Sequence, residues 1–265
     1  MRLLRGPAKA TTVAPTRLAL GCAPLDALLG GGVETGALTE VFGAAGTGKT
    51  NLCLQLAREV ARAGGRVLYL DSEGFSGERL AQLCGDDLAL VERRLLVERV
   101  ATLAEQARAA ERAARIARGV DDVRLVVVDS ATLLYRVQLA EGEGVGERRA
   151  LLRTLHKLCA AARERQVAVV ATNQVFSIPG QEDVQALGGH GLRHLAACVV
   201  RLERLPAPGA RSAVLLKHRS RPEGLRATFR LESRGLGPLQ RLDHLDPTST
   251  DSPKRLSRAH GGGPG

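Results

Sequence analysis

Apolar residues along the chain fall into two alternating rhythms. Short, nearly unbroken runs occur at "LTEVF" (38–42), "RVLYLD" (66–71), "RLLVERV" (94–100), "RLVVVDS" (124–130) and "VAVVATN" (167–173). Their length and β-branched content predict buried strands. Between them, apolar positions recur every three or four residues. Leu52, Leu56 and Val60 share one face of a helix predicted over 49–63, and further helices are predicted near 77–84, over 101–118 and over 147–165. Alternation of this kind predicts an α/β fold with a mostly parallel, twisted sheet flanked by helices on both faces. From about residue 198 the rhythm changes to "CVVRLERL", "SAVLLKHR" and "LRATFRLE". These read as strands joined by tight turns, which adds an antiparallel hairpin edge to the sheet.

With 265 residues the chain is long enough for one large domain with short appendages. We expect a flexible lead-in over 1–15, a core over 16–243 and a disordered basic tail over 244–265 that is rich in Pro, Ser and Gly. No internal repeat is visible. No apolar run approaches the roughly 18 to 20 residues that span a bilayer, and the first residues lack the apolar stretch of a signal peptide. The expected compartment is therefore cytoplasmic, with no membrane partner. The cysteines, Cys22, Cys53, Cys84, Cys159 and Cys198, are scattered and form no C-x-x-C, as expected of core thiols in a reducing compartment.

Charge changes the picture. The formal net charge is +10, and Arg outnumbers Lys 33 to 5. Such an excess suggests a polyanionic partner. Aromatic residues are too sparse for a broad base-stacking platform. The few lysines stand out, and Lys49 and Lys217 lie inside motifs.

The first motif is "GAAGTGKT", from Gly43 through Ala44, Ala45, Gly46, Thr47, Gly48 and Lys49 to Thr50. It follows a predicted strand and opens a predicted helix, where Asn51 comes next. In that setting a Gly-rich loop turns backbone N–H groups and a helix N-terminus toward phosphates. Lys49 would neutralise the β/γ-phosphates of ATP, and the Thr50 hydroxyl would ligate Mg²⁺. Asp129 ends a buried strand, as a carboxylate holding a metal's water shell should; alone, it reads equally as a strand-end cap. Glu73, two residues beyond Asp71 at the end of another strand, is the candidate base for polarising an attacking water. Its plain alternative is a solvated acidic turn.

Four further stretches narrow the reading: "GCAPLDALLGGGVETGALTEVFG", "DSEGFSGERL", "VVVDSATLLYR" and "TNQV". With the phosphate loop they resemble the RecA-like recombinases of archaea and eukaryotes over roughly residues 20–235. The short segment after "TNQV", its close on "LGGHGLRHL" and the "KHRSRPEG" stretch are similar to the RadB branch of that family, paralogues of the RadA recombinase. The resemblance implies a RecA-like P-loop ATPase core without RadA's helical N-terminal domain. It also implies no Phe-x-x-Ala hook for gripping neighbouring protomers, since no Phe precedes Phe42.

Carried over by position, the resemblance makes Lys49, Glu73 and Gln174 catalytic, with Gln174 the γ-phosphate sensor, and Asp129 the Mg²⁺-side aspartate. Arg79 would lie flat against adenine. His194 would read a neighbouring protomer's nucleotide, its alternative being a helix-face histidine. Lys217 and Arg219 would supply charge to a nucleotide across a subunit interface, from strand positions whose side chains point the same way; the alternative is an exposed basic edge that limits aggregation.

The two loops with which recombinases grip DNA are weakly equipped here. Arg136, Arg148 and Arg149 in 136–149 face Glu141, Glu143 and Glu147, and 175–189 carries Glu182 and Asp183 with no basic residue. Nine Arg or Lys fall instead between 201 and 234, against Glu203, Glu223 and Glu232. Together with the resemblance, this pattern implies a weak, Mg²⁺-dependent ATPase that binds single-stranded or branched DNA without sequence specificity. It would modulate a RadA-type recombinase in repair and homologous recombination without exchanging strands. The resemblance also associates such proteins with junction-resolving nuclease and replicative polymerase partners. A true strand-exchange recombinase and a nucleotide-gated protein-binding module remain as alternatives.

Overall fold

The computed structural model describes residues 16–140, 145–176, 185–186 and 189–239. The expected lead-in over 1–15 and tail over 244–265 lie outside them. The described chain opens with β1 (Arg17–Leu18), α1 (Ala23–Leu28) and β2 (Val33–Glu34). It continues through β3 (Leu38–Gly43), α2 (Lys49–Arg62), β4 (Arg66–Asp71), α3 (Gly77–Cys84), α4 (Leu88–Arg94), β5 (Leu95–Arg99), α5 (Leu103–Gly119) and β6 (Val123–Asp129). Then come α6 (Leu133–Ala140), α7 (Val145–Arg165), β7 (Ala168–Phe176), β8 (Gln185–Ala186) and α8 (Gly189–Leu195). β9 (Cys198–Arg204), β10 (Ala210–Lys217), β11 (Arg226–Glu232) and β12 (Gly235–Pro238) follow with no helix between them.

Apart from the short β1–β2 pair, the strands form one sheet in the order β12-β11-β10-β9-β3-β7-β6-β4-β5, with β8 paired to β7. Every pairing from β9 to β5 is parallel. Those from β9 to β12 are antiparallel. This is the expected α/β architecture with its antiparallel edge.

Strand periodicity divides the core. In β6, Leu125 and Val127 face the apolar cluster that contains Leu52, Leu56 and Val60 of α2. Val126 and Val128 face the opposite cluster, with Leu151, Leu155 and Leu158 of α7. α5 reaches that second face through Ala109, Ala110, Ala113, Ala114 and Ala117, whose small side chains let its backbone approach closely. All five cysteines are buried and unpaired, as expected. Among the described residues, no helix is long and apolar enough to cross a membrane.

Two differences from the sequence reading have local causes. The helix expected from 101 begins at Leu103, because Thr102 accepts from the Glu105 N–H at 3.1 Å while Glu105 accepts from the Ala101 N–H at 2.8 Å. α4 was not expected; only Val91 of its residues is buried, which leaves no periodic apolar signal.

The buried Gln55 of α2 joins distant parts of the chain. Its amide donates to the carbonyls of Leu20 (2.9 Å) and Leu236 (3.1 Å) and accepts from the Leu236 N–H (2.6 Å). A Cβ at Gly235 would lie 2.2 Å from Gln55 Oε1, so this glycine is required for the approach.

Candidate functional site

Parallel strands present all their C-terminal ends on one side of a sheet, and β3, β7, β6 and β4 are consecutive neighbours here. The candidate residues stand at those ends. Gly43–Thr50 turns directly from β3 into α2, with Gly48 at φ +104° forming the N-cap. A Cβ at Gly43 would meet the Leu202 carbonyl oxygen at 2.4 Å, so β9 passes too close for any side chain there. Thr47 closes the loop by donating to the Ala44 carbonyl at 2.9 Å. Lys49 is buried, and its Nζ donates to the carbonyls of Gly43 (2.9 Å) and Ala44 (3.1 Å). Burial lowers its pKa, while the charges of Glu73 and Asp129 act in the opposite direction. Thr50 is half-buried in the first turn of α2.

Asp129 is buried and held from two sides. Tyr69 Oη donates to its Oδ2 at 2.6 Å, and Thr172 Oγ1 donates to its Oδ1. Burial drives the Tyr69 phenol pKa well upward, and the Asp129 charge adds to this, so Tyr69 remains a donor. The turn after β4 is stitched to the same place. Ser72 N–H donates to the Asp129 carbonyl at 2.8 Å, and Ser72 Oγ donates to the Ser130 carbonyl at 2.9 Å. Asp71 accepts from the N–H groups of Gly74 (2.8 Å) and Phe75 (3.2 Å), fixing the loop that carries Glu73. Gln174, at the end of β7, donates from Nε2 to Glu73 Oε1 at 2.7 Å. The expected base and the expected sensor are thus in direct contact.

Behind Gln174, its neighbour Asn173 donates to the buried Glu40 of β3 at 2.8 Å and accepts from Thr132 Oγ1 at 2.6 Å. Burial raises the Glu40 pKa, against the Asn173 hydrogen bond and the charges of Arg193 and Lys217.

Arg79 lies near the start of α2. Nε donates to Asn51 Oδ1 (2.6 Å), Nη1 to the Ser233 carbonyl (2.7 Å) and Nη2 to the Glu232 carbonyl (2.8 Å). Guanidinium N–H groups lie in the plane of the group, so these bonds engage its edges.

The remaining candidates do not converge here. Lys217 ends β10, and its Nζ donates to the carbonyls of Arg193 (2.8 Å) and His194 (3.4 Å) in the last turn of α8. Arg219 donates to Glu34 at 2.6 Å instead. The expectation that Lys217 and Arg219 point the same way is corrected. The register shifts between Leu215 and Lys217, and the strand then ends, so strand alternation does not extend to 219.

The expected DNA loops, 136–149 and 175–189, lie partly outside the described residues. The basic edge has fewer uncommitted cations than its composition suggested. Arg201 and Arg226 pair with Glu203 at 2.7 and 3.2 Å. Arg204 Nη2 and Arg211 Nη2 donate to the Ala45 and Gly46 carbonyls at 2.7 and 3.1 Å. Sequence reasoning missed this last contact, and also Tyr69, Thr172, Asn173, Glu40 and Thr132. For Tyr69, Thr172, Asn173 and Glu40 the signal is a polar residue within a buried strand; Thr132 lies in the bend after β6 and has no such signal.

The donor set fits nucleotide with Mg²⁺. A carboxylate has about four lone-pair sites, so Asp129 can accept from metal-bound water beside Tyr69 and Thr172. Among the described residues, no group of three or more His, Cys, Asp or Glu could hold a metal. A cation here would therefore need phosphate oxygens as well as Thr50 and Asp129, as Mg²⁺ commonly does.

Comparisons with known proteins give the family. A model of the Rad51 family matches residues 13–237. The chain is 37% identical over 221 residues to the "DNA repair and recombination protein RadB" of Methanococcoides burtonii, covering 83% of this chain and 97% of that protein. It is 40% identical over 215 residues to the protein of the same name from Archaeoglobus fulgidus, covering 81% and 95%. A solved structure described as "Crystal structure of the RadB recombinase" superposes with a TM-score of 0.71 at 35% identity, covering 84% of this chain and 100% of that one. The chain belongs to the RadB branch of the Rad51 family of RecA-like recombinase paralogues.

Proposed function

We propose that the chain is an ATP-dependent accessory of DNA repair and homologous recombination. In this reading it binds ATP with Mg²⁺, binds DNA without sequence specificity, hydrolyses ATP weakly and modulates a RadA-type recombinase without exchanging strands. The observation that carries the ATPase reading is the 2.7 Å hydrogen bond from Gln174 to Glu73, at a strand end close to the phosphate loop. Lys49 would exchange the Gly43 and Ala44 carbonyls for phosphate oxygens. Glu73 would hold and polarise the attacking water, and Gln174, released or retained according to the γ-phosphate, would report the nucleotide state. Mg²⁺, when bound, would neutralise charge on the β/γ oxygens.

The absence of Lys and Arg from 175–189 argues against strand exchange, because a groove that tracks phosphates needs net positive charge. A second reading, a nucleotide-gated protein-binding module, draws support from the pairing of Arg201 and Arg226 with Glu203, which leaves less charge for DNA. ATPase activity with and without single-stranded DNA separates them. The accessory reading expects stimulation in wild type that Gln174→Ala loses. No stimulation, together with no DNA binding at low salt, would leave the protein-binding module.

A further inference from the structure

Four consecutive carbonyls of the phosphate loop are each bonded to a cation. Lys49 takes those of Gly43 and Ala44, Arg204 takes Ala45, and Arg211 takes Gly46. Lys49 is the loop's own residue. The two arginines arrive from outside, from the end of β9 and the start of β10, register partners at the mouth of that hairpin. β9 and β7 flank β3 on opposite sides, so the arginines approach from the side away from Glu73, Gln174 and Asp129.

From these contacts we infer that Arg204 and Arg211 are positioning residues for nucleotide binding, which hold the outer peptide units of the phosphate loop in the orientation that receives phosphate. The inference rests on the ATP-binding reading of this loop. A peptide unit is planar, with its C=O and N–H on opposite sides. Fixing the Ala45 carbonyl on Arg204 therefore turns the Gly46 N–H the other way. Fixing the Gly46 carbonyl on Arg211 orients the following unit, whose Thr47 N–H closes the turn onto Ala44 at 3.3 Å. When Lys49 moves to phosphate, the Gly43 and Ala44 carbonyls lose their cation, and the arginines remain to hold the loop.

Two other features agree. Gly46 has φ +72°, and a Cβ there would lie 2.2 Å from Arg204 Nη2, so the bare glycine is what lets the guanidinium reach the loop. The arginines also approach despite mutual repulsion: burial and the neighbouring Arg204 charge both lower the Arg211 pKa. An arrangement that brings like charges together on backbone carbonyls has those carbonyls as its compensation.

The test is titration of the full chain with a fluorescent ATP analogue and with ADP, alongside steady-state ATPase kinetics. The variants are Arg204→Ala, Arg211→Ala and the double. Wild type is measured first, since a wild type that binds no nucleotide would refute the ATP-binding reading itself. Each single variant is expected to weaken binding about tenfold, the size of one lost charge-assisted hydrogen bond. KM should rise with little change in kcat. The deficit should persist at about 1 M salt, where the screening length is about 3 Å. Wild-type affinity in the double variant would overturn the inference. So would a deficit that disappears at high salt, which would mark simple charge attraction, or a fall in kcat at unchanged KM.

Discussion

The parallel and antiparallel halves of the sheet use charge differently. In the parallel half, Asp129, Glu73, Gln174 and Lys49 come from different strands or their following loops, yet meet, because every strand ends on the same side. Most of their polar partners are other residues of the same site, such as Tyr69 with Asp129 and Gln174 with Glu73. In the antiparallel half, successive strand ends alternate between the two sides. Arg204 and Arg211 flank one turn and reach the phosphate loop, whereas Lys217, at the other end of β10, reaches α8. Lys217 is in register with Val199, and Val199 with Glu40. That places it about 10 Å down the strand direction from Gly43. Residues drawn together by motif are therefore separated by topology: the first group gathers beside the phosphate loop, and Lys217 and Arg219 lie apart from it.

The largest expected effect breaks the parallel half. Glu73→Gln should lower ATP turnover by about 10²- to 10⁴-fold, the usual weight of a general base, while nucleotide titration shows binding retained. Next, Gln55→Leu cuts the tie between α2 and β12. It strands the Leu236 N–H and the Leu20 and Leu236 carbonyls, and should cost about 2–4 kcal/mol in urea unfolding.

A smaller effect concerns Glu40, where the halves adjoin. Its folded pKa lies above its ordinary value of 4.5. Below that value both folded and unfolded states hold the proton, so burial carries no ionisation penalty. As pH rises through the window up to the folded pKa, the unfolded state loses its proton first and stability falls. Unfolding curves across that window should slope downward more in wild type than in Glu40→Gln; parallel slopes would contradict the assignment. The smallest effect belongs to Arg219→Ala. Its side chain is 55% exposed, so loss of the Glu34 pair should cost at most about 1 kcal/mol. The chain's own affinity for nucleotide should not change. A clear loss of that affinity in isolated protomers would bring Arg219 into the cis site and undo the contrast.

The division also explains what the sequence revealed. Buried parallel strands such as 124–130 and 167–173 carry continuous apolar runs, and the phosphate loop is a contiguous motif, so both were legible. Glu73 and Gln174 were found as types, but their contact spans 101 positions and has no local signature. The same holds for Tyr69 with Asp129 and for Arg204 with Ala45. Counting charges between 201 and 234 overestimated the free basic surface, because pairing with Glu203 and with backbone carbonyls is invisible in composition. The misplacement of Arg219 came from extending strand alternation past a register shift.

The central claim is that Glu73 and Gln174 act as one hydrolytic unit. A double-mutant cycle of ATP turnover at saturating ATP, comparing wild type, Glu73→Gln, Gln174→Ala and the double variant, tests it most directly. The account predicts that both single variants are impaired and that the double is no worse than the poorer single. Losses that simply multiply, or full turnover in Gln174→Ala, would contradict it.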